Sequence, residues 1–280
     1  MTTATRAACV IGWPAKHSRS PKMHRWWLKH YGIDGDYRFE EVPSEEFPAF
    51  IANLRGNGYI GANITIPHKE AAFKLTDPDE RARAVGASNT LWYGDDGLLR
   101  STNSDVDGFL AALDVSAPGW SETGKHAVVV GAGGAGRAAV WGLLERGIRR
   151  IHVVNRTFDR AVALAERYGD RVVPTRWEDR NKVLDGAGLL ANATTLGFRG
   201  NPELDIELSG MAPDAVVIDI NYVPLETPLL ARARQLGLKT ADGLDMLLYQ
   251  ACTGFELWFG VRPQVTRELR ELLAADIPKS

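Results

Sequence analysis

Cysteine is scarce: Cys9 and Cys252 are the only two in 280 residues. Their spacing matches no metal or redox motif, and their rarity points to a reducing compartment. Long apolar runs are missing as well. The stretch Ala7–Gly12 is too short for a signal-peptide core, and nothing reads as a membrane span. Neither sign of charge dominates, because the formal net charge is -2, so there is no basic field for nucleic acid or an acidic membrane surface. Internal repeats, low-complexity tracts and heptads are absent too. These absences point to a cytoplasmic chain with no nucleic-acid or membrane partner.

The composition that remains, 45% apolar and 24% charged, is ordinary for a globular protein, and the length favours two domains. The chain is organised around Val128-Val-Val-Gly-Ala-Gly-Gly-Ala-Gly136. Consecutive valines predict a strand covered on both faces. Gly131, Gly133 and Gly136 then give G-x-G-x-x-G, followed by a helical pattern to Arg146. Such glycines let the backbone turn tightly and approach a pyrophosphate at a helix N-terminus. A glycine-rich turn that binds nothing has the same local spelling; the flanking strand and helix favour a dinucleotide.

Beyond a Pro/Gly/Ser-rich linker at Ser116–Gly124, strands are expected at His126–Val130, Arg150–Val154, Arg171–Val173, Ala187–Ala191 and Ala215–Asp219, alternating with helices. An acidic residue about twenty positions past the glycines commonly bonds the ribose of NAD. The equivalent stretch here is Asn155-Arg-Thr-Phe-Asp-Arg160. Guanidinium groups at Arg156 and Arg160 can grip a 2′-phosphate with forked, charge-assisted bonds, which favours NADP. Asp159 reads as a first-turn residue serving the helix dipole.

The N-terminal half carries polar residues at strand ends. Ser18 and Ser20 follow the strand Ala7–Gly12, and Ser20 precedes Pro21 as an expected N-cap; plain capping and anion binding are equally open. Asn63 and Thr65 share one face of a strand ended by Pro67, which puts Lys69 at the start of the next element. By itself Lys69 reads as a surface charge or as a catalytic group. Asn89, Asn103, Asp105 and Asp107 also fall at strand ends or loops, where open α/β sheets bind ligands, although Asp105 could equally be an N-cap. His17, His24 and His30 do not stack on one helical face, so no metal site is expected. Trp26 and Trp27 suit either the core or a subunit contact.

Taken together the motifs resemble the shikimate dehydrogenase (shikimate/quinate dehydrogenase) family over nearly the whole chain. They are Val10–Pro21, Ala62–Lys69, Gly86–Thr90, Asn103-Ser-Asp105, Gly131–Gly136, Asn155-Arg-Thr157, Asn192-Ala-Thr194, Asp219–Tyr222, Thr227-Pro228 and Asp242–Gln250. The resemblance implies reversible, NADPH-dependent reduction of 3-dehydroshikimate to shikimate in chorismate biosynthesis, by an oxidoreductase acting on a CH–OH group. Lys69 and Asp105 are similar to the family's acid–base pair. Ser18, Ser20 and Tyr222 are similar to residues that hold the substrate carboxylate, and Asn63, Thr65, Asn89 and Gln250 to those that bond ring hydroxyls. NADP contacts are implied for Gly131, Gly133, Gly134, Ala135, Gly136, Asn155, Arg156, Thr157, Arg160, Asn192 and Gly243.

The implied architecture is α/β with two domains and an active-site cleft. Residues 1–105 form a substrate domain completed by C-terminal helices at 242–280, and 106–241 form a Rossmann-like NADP domain. The implied assembly is a monomer or homodimer. Ser88, Ser101 and Ser104 depart from the usual family pattern and suggest a more polar pocket. Quinate or a related cyclic hydroxy acid, with NAD or NADP, is the alternative activity; a catalytically silent NADP-binding module is another.

Overall fold

The structure is a computed structural model that describes residues 6–16 and 18–278. His17, one of the three histidines considered above, lies outside the described residues. The chain divides into two compact α/β units. The first runs to Ser104 and takes up Gln250–Leu273; the second comprises Asp105–Tyr249 and the segment from Ala274.

The first unit contains β1 (Ala7–Gly12), α1 (Ser20–His30), β2 (Asp36–Glu41), α2 (Phe47–Ala52), β3 (Tyr59–Ile64), α3 (Lys69–Leu75), β4 (Asp77–Pro78), α4 (Glu80–Val85), β5 (Thr90–Tyr93) and β6 (Leu99–Thr102). Its sheet has the order β2-β1-β3-β5-β6-β4. β1 runs parallel to β2 and β3, whereas β3, β5 and β6 are successively antiparallel. This mixed order follows from the Gly94–Gly97 turn, which folds β6 back along β5 as a hairpin. β1 is buried at every residue, as a central parallel strand demands.

The second unit opens with α5 (Asp105–Ser116) and continues with β7 (Ala127–Val130), α6 (Gly134–Glu145), β8 (Ile151–Val154), α7 (Phe158–Tyr168), β9 (Val172–Thr175), β10 (Leu189–Asn192), β11 (Val216–Asp219), α8 (Pro228–Gln235) and β12 (Lys239–Asp242). Its six strands are ordered β12-β11-β10-β7-β8-β9 and are all parallel. The strand order reverses beside β7, the strand that ends in the glycine turn. That is where a doubly wound sheet leaves its ligand crevice. The chain ends in α9 (Gly243–Phe259) and α10 (Arg267–Ala274). The unit division falls inside α9, at Tyr249/Gln250, and not at Asp242 where the C-terminal helices begin.

Three local expectations are corrected. Ser20 is not an N-cap: α1 starts at Ser20 itself, Arg19 is the capping position, and no side chain caps the helix. Asp105 likewise is the first residue of α5 rather than its cap. The stretch Ser116–Gly124 is not an open linker, because it contains a 3₁₀ turn at Trp120–Thr123 that buries Trp120, whose indole donates to Asp114. An additional strand, β12, went unexpected. Its Lys-Thr-Ala-Asp composition lacks the β-branched run that marks the other parallel strands.

An aromatic cluster fills the core of the first unit. Trp27, Tyr37, Phe255 and Trp258 are buried, with His24 among them. Trp27 is thus a core residue that donates to the Gln264 carbonyl, while Trp26 stacks on His30. His24 lies 3.9 Å from Tyr37, ring parallel to ring, and burial pushes its pKa down to about 3. The ring is therefore neutral throughout the physiological range. Between about pH 6.5 and pH 3 the unfolded chain binds a proton here that the folded unit refuses, so acid removes stability. This one group contributes a slope of about 1.4 kcal/mol per pH unit across that window. His24→Phe should abolish that part of the slope; urea unfolding followed from pH 7 to pH 4 with identical slopes in both proteins would contradict a neutral buried imidazole.

Candidate active site

In the first unit the polar residues at the strand ends form one buried hydrogen-bonded net. Asn63, on β3, donates through its amide nitrogen to the Asn89 carbonyl at 3.2 Å and to Thr90 Oγ1 at 3.1 Å, and accepts from the Tyr37 phenol at 2.7 Å. Asn89 Oδ1 accepts from the Ser104 amide at 2.7 Å and lies 3.2 Å from both the Ser104 and Thr90 hydroxyls. Gln250, on α9, reaches the same net through Oε1, 3.4 Å from Asn89 Nδ2 and from Ser104 Oγ. A core glutamine needs such partners, since a buried amide left unpaired is costly. Asn103 is held by its own donation to the Ala87 carbonyl at 2.8 Å.

Lys69 opens α3, and its carbonyl accepts from the Ser88 amide at 2.9 Å. Ser88 precedes Asn89, Asn89 grips Ser104, and Asp105 is the next residue along the chain. One backbone bond and one backbone-to-side-chain bond therefore link the start of α3 to Ser104, at the end of the first unit's main segment. Asp105 is buried in the first turn of α5, where the helix dipole favours negative charge. Ser18 Oγ accepts from the Ser20 amide at 3.3 Å, so the two serines form a tight turn ahead of α1. Thr65 follows β3 directly, its amide donating to the Ile11 carbonyl. Tyr222 lies in the loop after β11 in the second unit.

The serine departures do not enlarge the polar surface. Ser88 and Ser101 are fully buried with hydroxyls 2.8 Å apart, and Thr76 Oγ1 completes the trio 2.7 Å from Ser101. Ser104 is also fully buried, within the net just described. These hydroxyls satisfy one another.

In the second unit a depression at the carboxyl end of the sheet is lined by Gly131, Ala132, Gly133, Asn155, Arg156, Trp177 and the 193–196 loop. Gly131 has φ +111°, a conformation that excludes a side chain. A Cβ on Gly136 would stand 2.1 Å from the Gly131 carbonyl oxygen, so only glycine lets α6 start this close to the turn. Gly134 and Ala135 form the first turn of α6, whose amides point toward any anion placed there. Asn155 accepts from the Ala132 amide and donates to the Thr157 carbonyl, which sets the turn that presents Arg156 to solvent.

Arg160 is exposed on α7 and is not among the lining residues; Thr157 is exposed at the α7 N-cap. Asn192 is wholly buried. Its amide donates to the Leu196 carbonyl and Asp219, and its oxygen accepts from the Thr194 amide and hydroxyl, so it shapes the lining loop. Gly243 opens α9 against the backbone of Ile220. Asp219, bonded by Asn192, Asn221 and Thr227, has its pKa raised to about 6 by burial.

Sequence reasoning missed Trp177, Tyr37 and Thr90. Trp177 had a usable signal, because it follows β9 at the carboxyl edge where nucleotide sites form. The other two owe their place to register across strands.

A six-stranded parallel sheet of this order, with a glycine turn at its reversal point and an arginine beside it, defines a Rossmann-like dinucleotide-binding oxidoreductase. The matching families are the shikimate dehydrogenase substrate binding domain at residues 10–91, shikimate/quinate 5-dehydrogenase at 116–197 and the shikimate 5′-dehydrogenase C-terminal domain at 243–267. The chain belongs to the shikimate dehydrogenase family. It is 60% identical over 277 residues to shikimate dehydrogenase (NADP(+)) of Rhodopseudomonas palustris strain TIE-1, covering 99% of each chain. Among solved structures it resembles shikimate 5-dehydrogenase from Thermus thermophilus in complex with NADP(H) and shikimate (TM-score 0.82, 35% identity, 98% of this chain and 100% of that one). It also resembles quinate dehydrogenase from Corynebacterium glutamicum in complex with NAD (TM-score 0.86, 29% identity, 97% and 99%). Among the described residues no helix is long and apolar enough to cross a membrane.

The glycine turn is testable in isolation from the chemistry. Gly136→Ala should cost about 2 kcal/mol or more, because the new methyl overlaps a backbone carbonyl. It should weaken NADPH at least about tenfold in a fluorescence titration; wild-type affinity would show that the close approach is dispensable.

Proposed function

We propose that this chain catalyses the reversible, NADPH-dependent reduction of 3-dehydroshikimate to shikimate in the cytoplasm, as a monomer or homodimer, with Lys69 and Asp105 as its acid–base pair. The observation that carries the pairing is the linkage just described, Lys69 carbonyl to Ser88 and Asn89 to Ser104, which joins the two segments through buried groups.

The chain's nucleotide residues fit the cofactor. Gly131, Gly133, Gly134, Ala135 and Gly136 offer backbone donors without side chains in the way, and Arg156 offers an unobstructed guanidinium for a 2′-phosphate. Arg160, exposed one turn further along α7, supplements that charge, and Asn155, Thr157, Asn192 and Gly243 complete the nucleotide site. Bound NADPH supplies the hydride that reduces the substrate ketone. Lys69 donates a proton from its ammonium to the developing alkoxide and stabilises the negative charge before transfer. Asp105 holds that ammonium in place. In the oxidation direction the neutral amine takes the hydroxyl proton.

Ser18, Ser20 and Tyr222 hold the substrate carboxylate with hydroxyl donors. Asn63, Thr65, Asn89 and Gln250 bond the ring hydroxyls; Asn89, whose oxygen is occupied by Ser104, serves as a donor. Because Ser88 and Ser101 are turned inward, they give no reason to favour a more polar substrate than shikimate.

Steady-state assays with shikimate and quinate, each with NADP and NAD, test the assignment; preference for quinate or NAD would reverse it. Lys69→Ala should lower kcat by about 10²- to 10⁴-fold with the NADPH dissociation constant nearly unchanged. Near-normal turnover would remove Lys69 from the chemistry. Arg156→Ala should weaken NADPH at least about tenfold more than NADH, as loss of a charged hydrogen-bond pair requires; equal losses would place the 2′-phosphate elsewhere.

A further inference from the structure

Tyr37 has no role in the reading above, yet its hydroxyl touches Asn63, which does. It sits on β2, paired with Ala8 of β1, while Asn63 on β3 is paired with Val10 of the same strand. By strand parity Tyr37, Ala8 and Asn63 share one face of the sheet. The side chain between the outer strand and β3 is only a methyl, at Ala8, opposite Gly61. The phenol therefore crosses above β1 and donates to Asn63 Oδ1 at 2.7 Å. The ring is fully buried and clamped face to face by His24 at 3.9 Å.

The consequence for Asn63 is specific. An amide has two N–H donors and two acceptor sites on oxygen. Both donors of Asn63 are directed into the protein, to the Asn89 carbonyl and Thr90, and the phenol takes one acceptor site. What remains toward a ligand is a single lone pair on Oδ1. We propose that Tyr37 is a positioning residue for substrate recognition: its hydroxyl holds Asn63 Oδ1 in place, so that the remaining lone pair is aimed as an acceptor for a substrate hydroxyl. This rests on the assignment of Asn63 to the substrate site. The Asn89 carbonyl already fixes which end of the amide donates, and without the phenol proton the oxygen end loses its only protein partner among the described residues.

The test is steady-state kinetics on the full chain with shikimate and NADP for Tyr37→Phe, Ser20→Ala, Asn63→Ala and the double variant Tyr37→Phe/Asn63→Ala. Tyr37→Phe keeps the ring and its stack. It should raise the shikimate KM about tenfold, as loss of a buried hydrogen bond predicts. The NADP KM should stay within about twofold, and the double variant should lose less than the product of the single losses, because the two groups act as one. His24→Phe, which alters the stack but keeps the phenol, should leave the shikimate KM unchanged.

A Tyr37→Phe enzyme with wild-type shikimate KM, alongside raised values in Ser20→Ala and Asn63→Ala, overturns the positioning role while the substrate site stands. Wild-type values in the two alanine variants overturn both. A parallel rise in NADP KM, or an equal effect of His24→Phe, marks a general structural defect and also overturns it.

Discussion

A buried amide oxygen holds the first unit's polar machinery together. Asn89 Oδ1 accepts from the backbone of Ser104 and lies beside the hydroxyls of Ser104 and Thr90. Burying so many polar groups in one place is costly unless each finds a partner. The partners come from separate parts of the chain: Asn63 from β3, Tyr37 from β2, Ser104 from the end of the hairpin and Gln250 from α9. The same bond that satisfies Asn89 also fixes the backbone one residue before Asp105.

The second unit reaches the same end by a different device. Its site is made of absences, a missing Cβ at Gly131 and another at Gly136, so that backbone can meet backbone and still leave amides facing outward. Behind that turn, Asn192 uses three of its four hydrogen-bonding sites to hold the 193–196 loop, and the fourth meets Asp219, which braces it in turn. Burial pushes the Asp219 pKa up to about 6 even though three side chains bond it, a sign that desolvation outweighs them. Arg156, at the rim of this depression, stays exposed while the buried amides and the carboxylate do the shaping.

Much of this was legible along the chain. The valine run, the glycines and the alternation of strands and helices announced the parallel sheet, because each signal depends on neighbours within a few residues. Arg156 was legible for the same reason, since it follows its strand at a fixed interval. The capping expectations at Ser20 and Asp105 failed because a hydroxyl or carboxylate near a helix start has the same local spelling whether it caps the helix or lies within its first turn. The polarity expected from Ser88 and Ser101 failed on burial, which local pattern does not reveal. β12 was missed because its place between solvent and β11 demands little hydrophobicity of an edge strand.

By itself the sequence determined the two α/β units, the dinucleotide turn and its preference for a 2′-phosphate, all of which are encoded by short-range spacing. Only the tertiary structure decided that Tyr37, Asn63, Thr90, Ser104 and Gln250 meet, and which end of each amide is already taken. Those facts depend on strand register and on contacts between residues as far apart as Asn89 and Gln250. Hydrogen-bond direction is a property of the assembled neighbourhood, and no local pattern carries it.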